Sequence, residues 1–349
     1  MIRLIQGDLL KQDDVDAIVN TVNCVGVMGK GIALQFKNKW PANFAEYAAA
    51  CKAGQVRPGR MLIHDSGGLI KPHYIINFPT KEHWRGTSKI EFIRDGLVDL
   101  VAQVRRLRIR SIAIPPLGCG NGGLSWNEIR PLIEGAFASL PEVEVRLFEP
   151  QGAPEARSMQ VRTKRPKMTA GRAAIVKVLD TYRELNYGVS KIEAQKLAYF
   201  LQEAGEPLKL AFVKHEFGPY SDALRHALNN MEGHFVRGVG DGVVEEEIEP
   251  TDEALAEAEA FINRQDRPEL AGHVARVGRL IDGYQSQYGM ELLASVHWVA
   301  THEPAVHSVD DAVTAVRSWN DRKKAIMKPE HVAFAWHRLE AEGWLRRPL

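Results

Sequence analysis

Two stretches of this 349-residue chain carry residues whose types and spacing suit the binding of a diphosphate. The first, Asn20-Thr21-Val22-Asn23-Cys24-Val25-Gly26-Val27-Met28-Gly29-Lys30-Gly31-Ile32-Ala33, runs from an apolar strand into a helix that carries Ile32, Phe36 and Trp40. The second, Pro115-Pro116-Leu117-Gly118-Cys119-Gly120-Asn121-Gly122-Gly123-Leu124-Ser125-Trp126, again leaves a strand through glycines and enters a helix. Glycine lets backbone N–H groups approach a phosphate with no Cβ in the way, and a helix N-terminus adds a favourable partial positive charge. Either loop alone could equally be a tight turn needing positive φ. Two in one α/β segment describe a crevice outside the carboxyl ends of the strands, where open α/β sheets place ligands.

The elements that must position these loops are legible in the apolar pattern. Ile2 to Ile5, Ala17 to Asn20, Met61 to His64, Tyr74 to Asn77, Ser111 to Pro115 and Val143 to Phe148 read as strands, interleaved with helical patterns. Ser88 and Glu91 are expected to form a capping box for a helix with Ile90, Ile93, Leu97, Leu100, Val101 and Val104 on one face, and Ser125 with Glu128 repeats the device. Between Arg157 and Arg172 the charged residues are all basic and apolar periodicity stops, which marks a linker that is either simply solvated or a nucleic-acid contact. Beyond it the pattern is helical, with a third box at Ser190 and Glu193 and helices near 289–301, 309–324 and 329–343. Lys209 to Lys214 and Phe235 to Val244 could supply one small hairpin or sheet. The chain therefore divides into residues 1–152, a basic linker over 153–170, and a mainly helical domain over 171–349.

A net charge of +1 excludes a whole-molecule field for nucleic acid or membrane, so any charged surface is local. No export signal and no run of about 18 apolar residues is present, so no membrane contact is expected. Cys24, Cys51 and Cys119 show no CxxC or zinc spacing, which fits a reducing cytoplasm. His64, His73 and His83 lack ligand spacing, so neither metal nor cofactor is expected.

The residues of the first half resemble the macrodomain family. The matching pieces are Gly7-Asp8-Leu9, Val19-Asn20 with Asn23, the Gly29-x-Gly31-Ile32-Ala33 loop, and Pro116-Leu117-Gly118-x-Gly120 before Gly122 and Leu124. The resemblance implies a mixed central sheet in a three-layer α/β/α fold that binds ADP-ribose. It implies that Asp8 accepts the adenine amino group and that Leu9 packs the base. The diphosphate and distal ribose fall to the two loops: Asn20, Thr21, Val22, Asn23, Gly29, Lys30, Gly31 and Ile32 in the first, Leu117, Gly118, Cys119, Gly120, Asn121 and Gly122 in the second. Asn23 is the candidate to orient the distal ribose hydroxyls, and Thr80 the candidate contact beside Lys81.

Within that family, Met28 to Ala33 and Asn77-Phe78-Pro79-Thr80-Lys81 resemble the branch that uses a lysine to release ADP-ribose, with Lys81 at the position of its catalytic lysine. The chemistry suits a lysine. Cleavage at an anomeric carbon passes through an oxocarbenium-like centre, which a neutral amine could attack and a charged one could stabilise. Read locally, Lys81 is by default a solvated loop cation beside His83 and Arg85, and its place at a strand end facing the crevice is what favours function, with His83 a second candidate proton carrier. One departure stands out: Gly122 occupies the place where a relative acting on protein-linked ADP-ribose carries a carboxylate. Either Lys81 works with the substrate's own groups and water, or the substrate differs from a glutamate ester, and the glycine would also leave room for a larger leaving group such as a nucleobase.

The second half carries Lys214-His215-Glu216-Phe217-Gly218-Pro219-Tyr220-Ser221, which reads as a strand, a Gly-Pro turn and a capped helix. A lysine-type macrodomain followed by this motif resembles the DarG family of antitoxins. The resemblance implies hydrolysis of ADP-ribose from thymidine in single-stranded DNA, and a C-terminal domain that binds and blocks a cognate DarT-like DNA ADP-ribosyltransferase toxin, with His215, Phe217 and Tyr220 as candidate contacts. The alternative is a non-catalytic ADP-ribose reader whose helical domain recruits a partner. Asp241 to Glu259 holds nine acidic residues and no basic ones, either a solvated surface or a mimic of DNA.

Overall fold

The computed structural model describes residues 1–68, 70–183, 188–242, 246–265 and 267–345. It divides into two compact units, Met1–Lys164 with Asp241–Val244, and Arg165–Gly240 with Glu245–Leu349.

The first unit runs β1 (Ile2–Ile5), β2 (Ala17–Val22), α1 (Gly31–Lys39), α2 (Pro41–Lys52), β3 (Leu62–Asp65), β4 (Tyr74–Pro79), α3 (Ile90–Arg106), β5 (Ser111–Ile114), α4 (Trp126–Phe137) and β6 (Glu144–Phe148). The strands form one mixed sheet in the order β1-β6-β5-β2-β4-β3, with only β3 antiparallel to its neighbour. Alternation along each strand assigns the two faces. Ala17, Val19, Ile76, Phe78, Ile112, Ile114, Val145 and Leu147 pack with Ile93, Leu97, Leu100 and Val104 of α3 and Ile129, Ile133 and Phe137 of α4. Ile18, Ile75, Ala113 and Phe148 turn the other way, onto Leu9, Leu10 and Phe36 of α1. This is the three-layer architecture that the resemblance to macrodomains implies.

Two expected capping boxes are absent. α3 begins one residue later than the box requires, with Lys89 as its N-cap and no side-chain cap. The reason is that Ser88 belongs to the second glycine loop, where its amide donates to Gly122 O at 2.9 Å. Ser125 does cap α4 by position, but its side chain makes no capping bond. The box at Ser190 and Glu193 is formed on both sides. Part of the stretch assigned to the linker packs on the first unit: Ala156 is buried, and Arg162 N donates to Asn38 O at 2.8 Å.

The second unit comprises α5 (Ala170–Arg183), α6 (Lys191–Glu203), β7 (Val213–His215), β8 (Gly218–Tyr220), α7 (Asp222–Met231), β9 (Val236–Arg237), β10 (Glu249–Pro250), α8 (Asp252–Gln265), α9 (Pro268–Ile281), α10 (Gln287–His302), α11 (Val309–Arg317), α12 (Asp321–Ile326) and α13 (Pro329–Ala341). It is mainly helical, around one apolar core. The β element differs from expectation: among the described residues it forms two separate pairs, β7 with β8 and β10 with β9. The Lys209 to Lys214 run enters a strand only at Val213. Gly218-Pro219 is strand rather than turn, because Pro219 keeps its place opposite Lys214 and its carbonyl accepts from buried Lys196 Nζ at 2.7 Å. Residues 243–245, which include Glu245 of the acidic run and the end of the Phe235 to Val244 stretch, lie outside the described residues, as do 346–349.

Candidate active site

Because β5, β2 and β4 are parallel neighbours, the segments that follow Ile114, Val22 and Pro79 leave the sheet at the same edge. Backbone bonds tie them together. Thr80 N donates to Val22 O at 2.9 Å, Cys24 N to Glu82 O at 3.0 Å, and Ser88 N to Gly122 O at 2.9 Å. The first glycine loop, the lysine segment and the second glycine loop thus form one stitched surface.

Lys81 sits at its centre. Its Nζ donates to Asn121 O at 2.8 Å and to Gly86 O at 3.2 Å, so the second glycine loop and the turn after the lysine both hold the amine. Among the described residues no carboxylate pairs with it, and burial lowers its pKa from the ordinary 10.5. Two carbonyl acceptors take two of the three N–H bonds of an ammonium, leaving one for a ligand. The other nucleophile candidates in the loops are disarmed: burial pushes the thiols of Cys24 and Cys119 up to about 11, so both stay protonated near neutrality. His83 is exposed, and its Nδ1 faces the amide of Arg85 at 3.2 Å rather than Lys81. Among the described residues no cluster of three His, Cys, Asp or Glu side chains has metal-ligand geometry.

Asn23 organises the first loop. Its Nδ2 donates to Val27 O at 2.6 Å, while the amides of Val25 and Val27 donate to its Oδ1 at 3.0 and 3.3 Å. Tyr47 of α2, a residue the sequence does not single out, fixes it from behind through a hydroxyl bond to Asn23 O at 2.7 Å. Asn20 is fully buried in the floor. Its Nδ2 donates to Asn77 Oδ1 at 3.1 Å, and Asn77 Nδ2 donates to Asn43 Oδ1 at 2.7 Å, giving a chain of amides across β2, β4 and α2. Val22 and Thr80 are buried, Thr21 and Ile32 half-buried, and Gly29 and Lys30 exposed. Gly31 opens α1 at φ +62°, with no side-chain cap from Lys30.

In the second loop Leu117 is in the core, Gly118 (φ +72°) is buried, Cys119 is half-buried, and Gly120 and Asn121 are exposed. Gly122 has a different reason to be glycine from the one the sequence suggests. A Cβ there would lie 2.2 Å from Ser88 Oγ and 2.4 Å from Gly118 O. The missing side chain faces protein packing, so neither a carboxylate nor extra ligand space is available in that direction. Ser88 is the unforeseen member of this loop, and its spacing to Glu91 disguises it as a helix cap.

At the far end, Asp8 Oδ1 accepts from Leu10 N at 2.9 Å, capping a short 3₁₀ turn, and Leu9 is buried among Leu10, Phe36 and Ile75. A narrow cleft there is lined by Asp8, Leu10, Lys11 and Gln35, with Met159 and Gln160 from the stretch assigned to the linker. Their lack of periodicity gave no signal.

In the second unit His215 and Tyr220 face each other across the β7–β8 pair with ring centroids 4.9 Å apart, and Arg322 stacks over Phe217 at 4.6 Å. Trp319 Nε1 donates to His215 O at 2.9 Å and Asn320 Nδ2 to Glu216 O at 3.1 Å, so α12 and its approach hold this hairpin. In the acidic run, Glu253 and Glu257 pair with Arg165, Glu259 with Lys177 and Glu249 with Arg183, so four of its carboxylates are held in ion pairs within the unit.

The Macro domain family model matches residues 19–133. The chain is 44% identical over 346 residues to a DNA ADP-ribosyl glycohydrolase of Thermus aquaticus, covering 99% of this chain and 95% of that one. It is 31% identical over 162 residues to a DNA ADP-ribosyl transferase-DNA ADP-ribosyl glycohydrolase fusion protein of Thermosipho africanus, covering 42% of this chain and 41% of that one. Among solved structures, the macrodomain of Mycobacterium tuberculosis DarG is 52% identical with a TM-score of 0.43, covering 43% of this chain and 99% of that one. Identity that runs through both units from end to end shows kinship of the whole chain, beyond the stretch matched by the Macro domain model: the protein belongs to the DNA ADP-ribosyl glycohydrolase family.

Proposed function

We propose that this protein hydrolyses the N-glycosidic bond between ADP-ribose and thymidine in single-stranded DNA, in the cytoplasm, and so reverses the action of a cognate DarT-like DNA ADP-ribosyltransferase toxin. The observation that carries this reading is the amine of Lys81, held by one carbonyl of each flanking segment at the junction of the two glycine loops. Asp8 and Leu9 receive the adenine end, the loop amides receive the diphosphate, and Asn23 lies beside the distal ribose. The ammonium of Lys81 donates its remaining N–H to the base nitrogen. As the bond from that nitrogen to the anomeric carbon breaks, the proton passes to the base. Water adds its oxygen to the anomeric carbon and returns a proton to the amine, which restores the ammonium. No carboxylate base is needed at Gly122.

The second unit is proposed to bind and neutralise the toxin through the β7–β8 hairpin with His215, Phe217 and Tyr220. Fusion of a transferase to a glycohydrolase in one relative supports such a pairing. The test of the activity is product analysis. An oligonucleotide carrying one ADP-ribosylated thymidine should yield free ADP-ribose and an oligonucleotide of unmodified mass. Retention of the modification, or release of a fragment that leaves ribose on the base, would refute the reading.

A further inference from the structure

The segment that follows Lys81, Glu82-His83-Trp84-Arg85-Gly86-Thr87, is exposed throughout. Trp84 is 47% exposed and is the one exposed Phe, Tyr or Trp among the described residues of the first unit. Its ring is not left bare. The guanidinium of Arg85 lies 4.6 Å from the ring centroid, and the His83 imidazole lies 5.4 Å away at an interplanar angle of 31°. The turn is braced from inside, with Gly86 N donating to His83 O at 2.9 Å and Arg85 N to His83 Nδ1 at 3.2 Å. It is also fastened to the catalytic candidate, since Lys81 Nζ donates to Gly86 O at 3.2 Å. Exposed Val25 and Val27 of the first glycine loop adjoin through the bond from Cys24 N to Glu82 O.

Single exposed apolar residues are ordinary on protein surfaces and carry no message by themselves. Here the exposed indole is coupled to a guanidinium and stands on the turn fastened to the amine that is proposed to protonate the base nitrogen. From Lys81 to Lys89 there are three cations against one carboxylate, Glu82. An aromatic face backed by an arginine in a locally positive segment is the chemistry that takes an unstacked base and its phosphate. We propose that His83, Trp84 and Arg85 form a stacking platform for the nucleotide adjacent to the modified one, with Trp84 and the Arg85 plane meeting the base and the Arg85 charge offsetting the strand phosphate. The inference rests on the reading that the substrate is a modified DNA strand. It makes Trp84 a substrate-binding residue for DNA, distinct from the groups that hold ADP-ribose.

The test compares the full-length wild type, Trp84→Ala and Trp84→Phe on two substrates, an ADP-ribosylated single-stranded oligonucleotide and the ADP-ribosylated thymidine mononucleoside. Loss of one stacked base predicts a rise in KM on the oligonucleotide of about 5- to 150-fold with kcat nearly unchanged, and substantial recovery in Trp84→Phe. The loss is confined to the substrate that has neighbouring bases. Arg85→Gln should in addition flatten the salt dependence of oligonucleotide binding. An equal loss on the mononucleoside would mean that the turn acts only by positioning Lys81, and would overturn the platform. An unimpaired Trp84→Ala on an oligonucleotide that the wild type does process overturns the platform alone. A wild type inert towards the oligonucleotide overturns the DNA reading itself.

Discussion

At the scale of single residues the chemistry turns on the protonation of Lys81. Burial lowers its pKa, while two backbone carbonyls favour the charged form and, among the described residues, no carboxylate assists. If the ammonium is the reacting species, kcat/KM falls as pH rises through that pKa, and the fall begins below the range of an ordinary lysine at 10.5. A pH profile that climbs over the same range would identify the neutral amine as a nucleophile instead. The cysteines do not confuse this measurement at its neutral end, because burial keeps Cys24 and Cys119 protonated to about 11. Lys81 was legible in the sequence through the strand that delivers it, whereas its two carbonyl partners were not, since backbone acceptors leave no trace in residue identity. Gly122 was legible as a departure but its cause was not. The packing of Ser88 against the absent Cβ exists only once α3 and the second loop are brought together.

At the scale of elements, the sheet edge holds its shape through polar groups as well as apolar burial. Asn20 and Asn77 are paired in register on β2 and β4, and Asn43 of α2 completes the amide chain beneath the first loop. Replacing Asn77 by leucine would leave buried amides on both sides without their partner, at about 1–3 kcal/mol for each unsatisfied group. Asn77→Leu is therefore expected to lose about 2–6 kcal/mol of stability and to weaken ADP-ribose binding. Denaturant titration of the variant checks it, and a midpoint equal to the wild type would show that the amide chain is incidental. The six strands of the first unit were readable because short apolar runs, buried on both faces of a largely parallel sheet, interleave with helical patterns. Helix starts were less so: Ser88 and Glu91 have the spacing of a capping box, yet Ser88 is claimed by Gly122 and the helix opens after it. Pro219 misled in a similar way, since a Gly-Pro pair reads as a turn until Lys196 and the opposite strand take up its carbonyl and its place in the pair.

At the scale of the whole molecule, the sequence marked a change from α/β to helical pattern near residue 153, and the chain first passes from one compact unit to the other between Lys164 and Arg165. The difference arises because residues 156–162 pack on the first unit through a few contacts without periodicity, including Ala156 and Arg162. Among the described residues no helix is long and apolar enough to cross a membrane. If the second unit binds the toxin through its own hairpin, Lys81→Ala should still capture the toxin with wild-type affinity in a pull-down or by calorimetry. Failure to do so would place toxin binding in the first unit. Cell survival therefore mixes the two functions, and the chemistry has to be read in isolation. The most direct measurement is release of ADP-ribose from a modified single-stranded oligonucleotide by purified full-length wild type and Lys81→Ala at saturating protein. Loss of a positioned proton donor predicts a decrease of about 100- to 10,000-fold in the single-turnover rate, with ADP-ribose still bound. Turnover in Lys81→Ala equal to wild type would contradict the account.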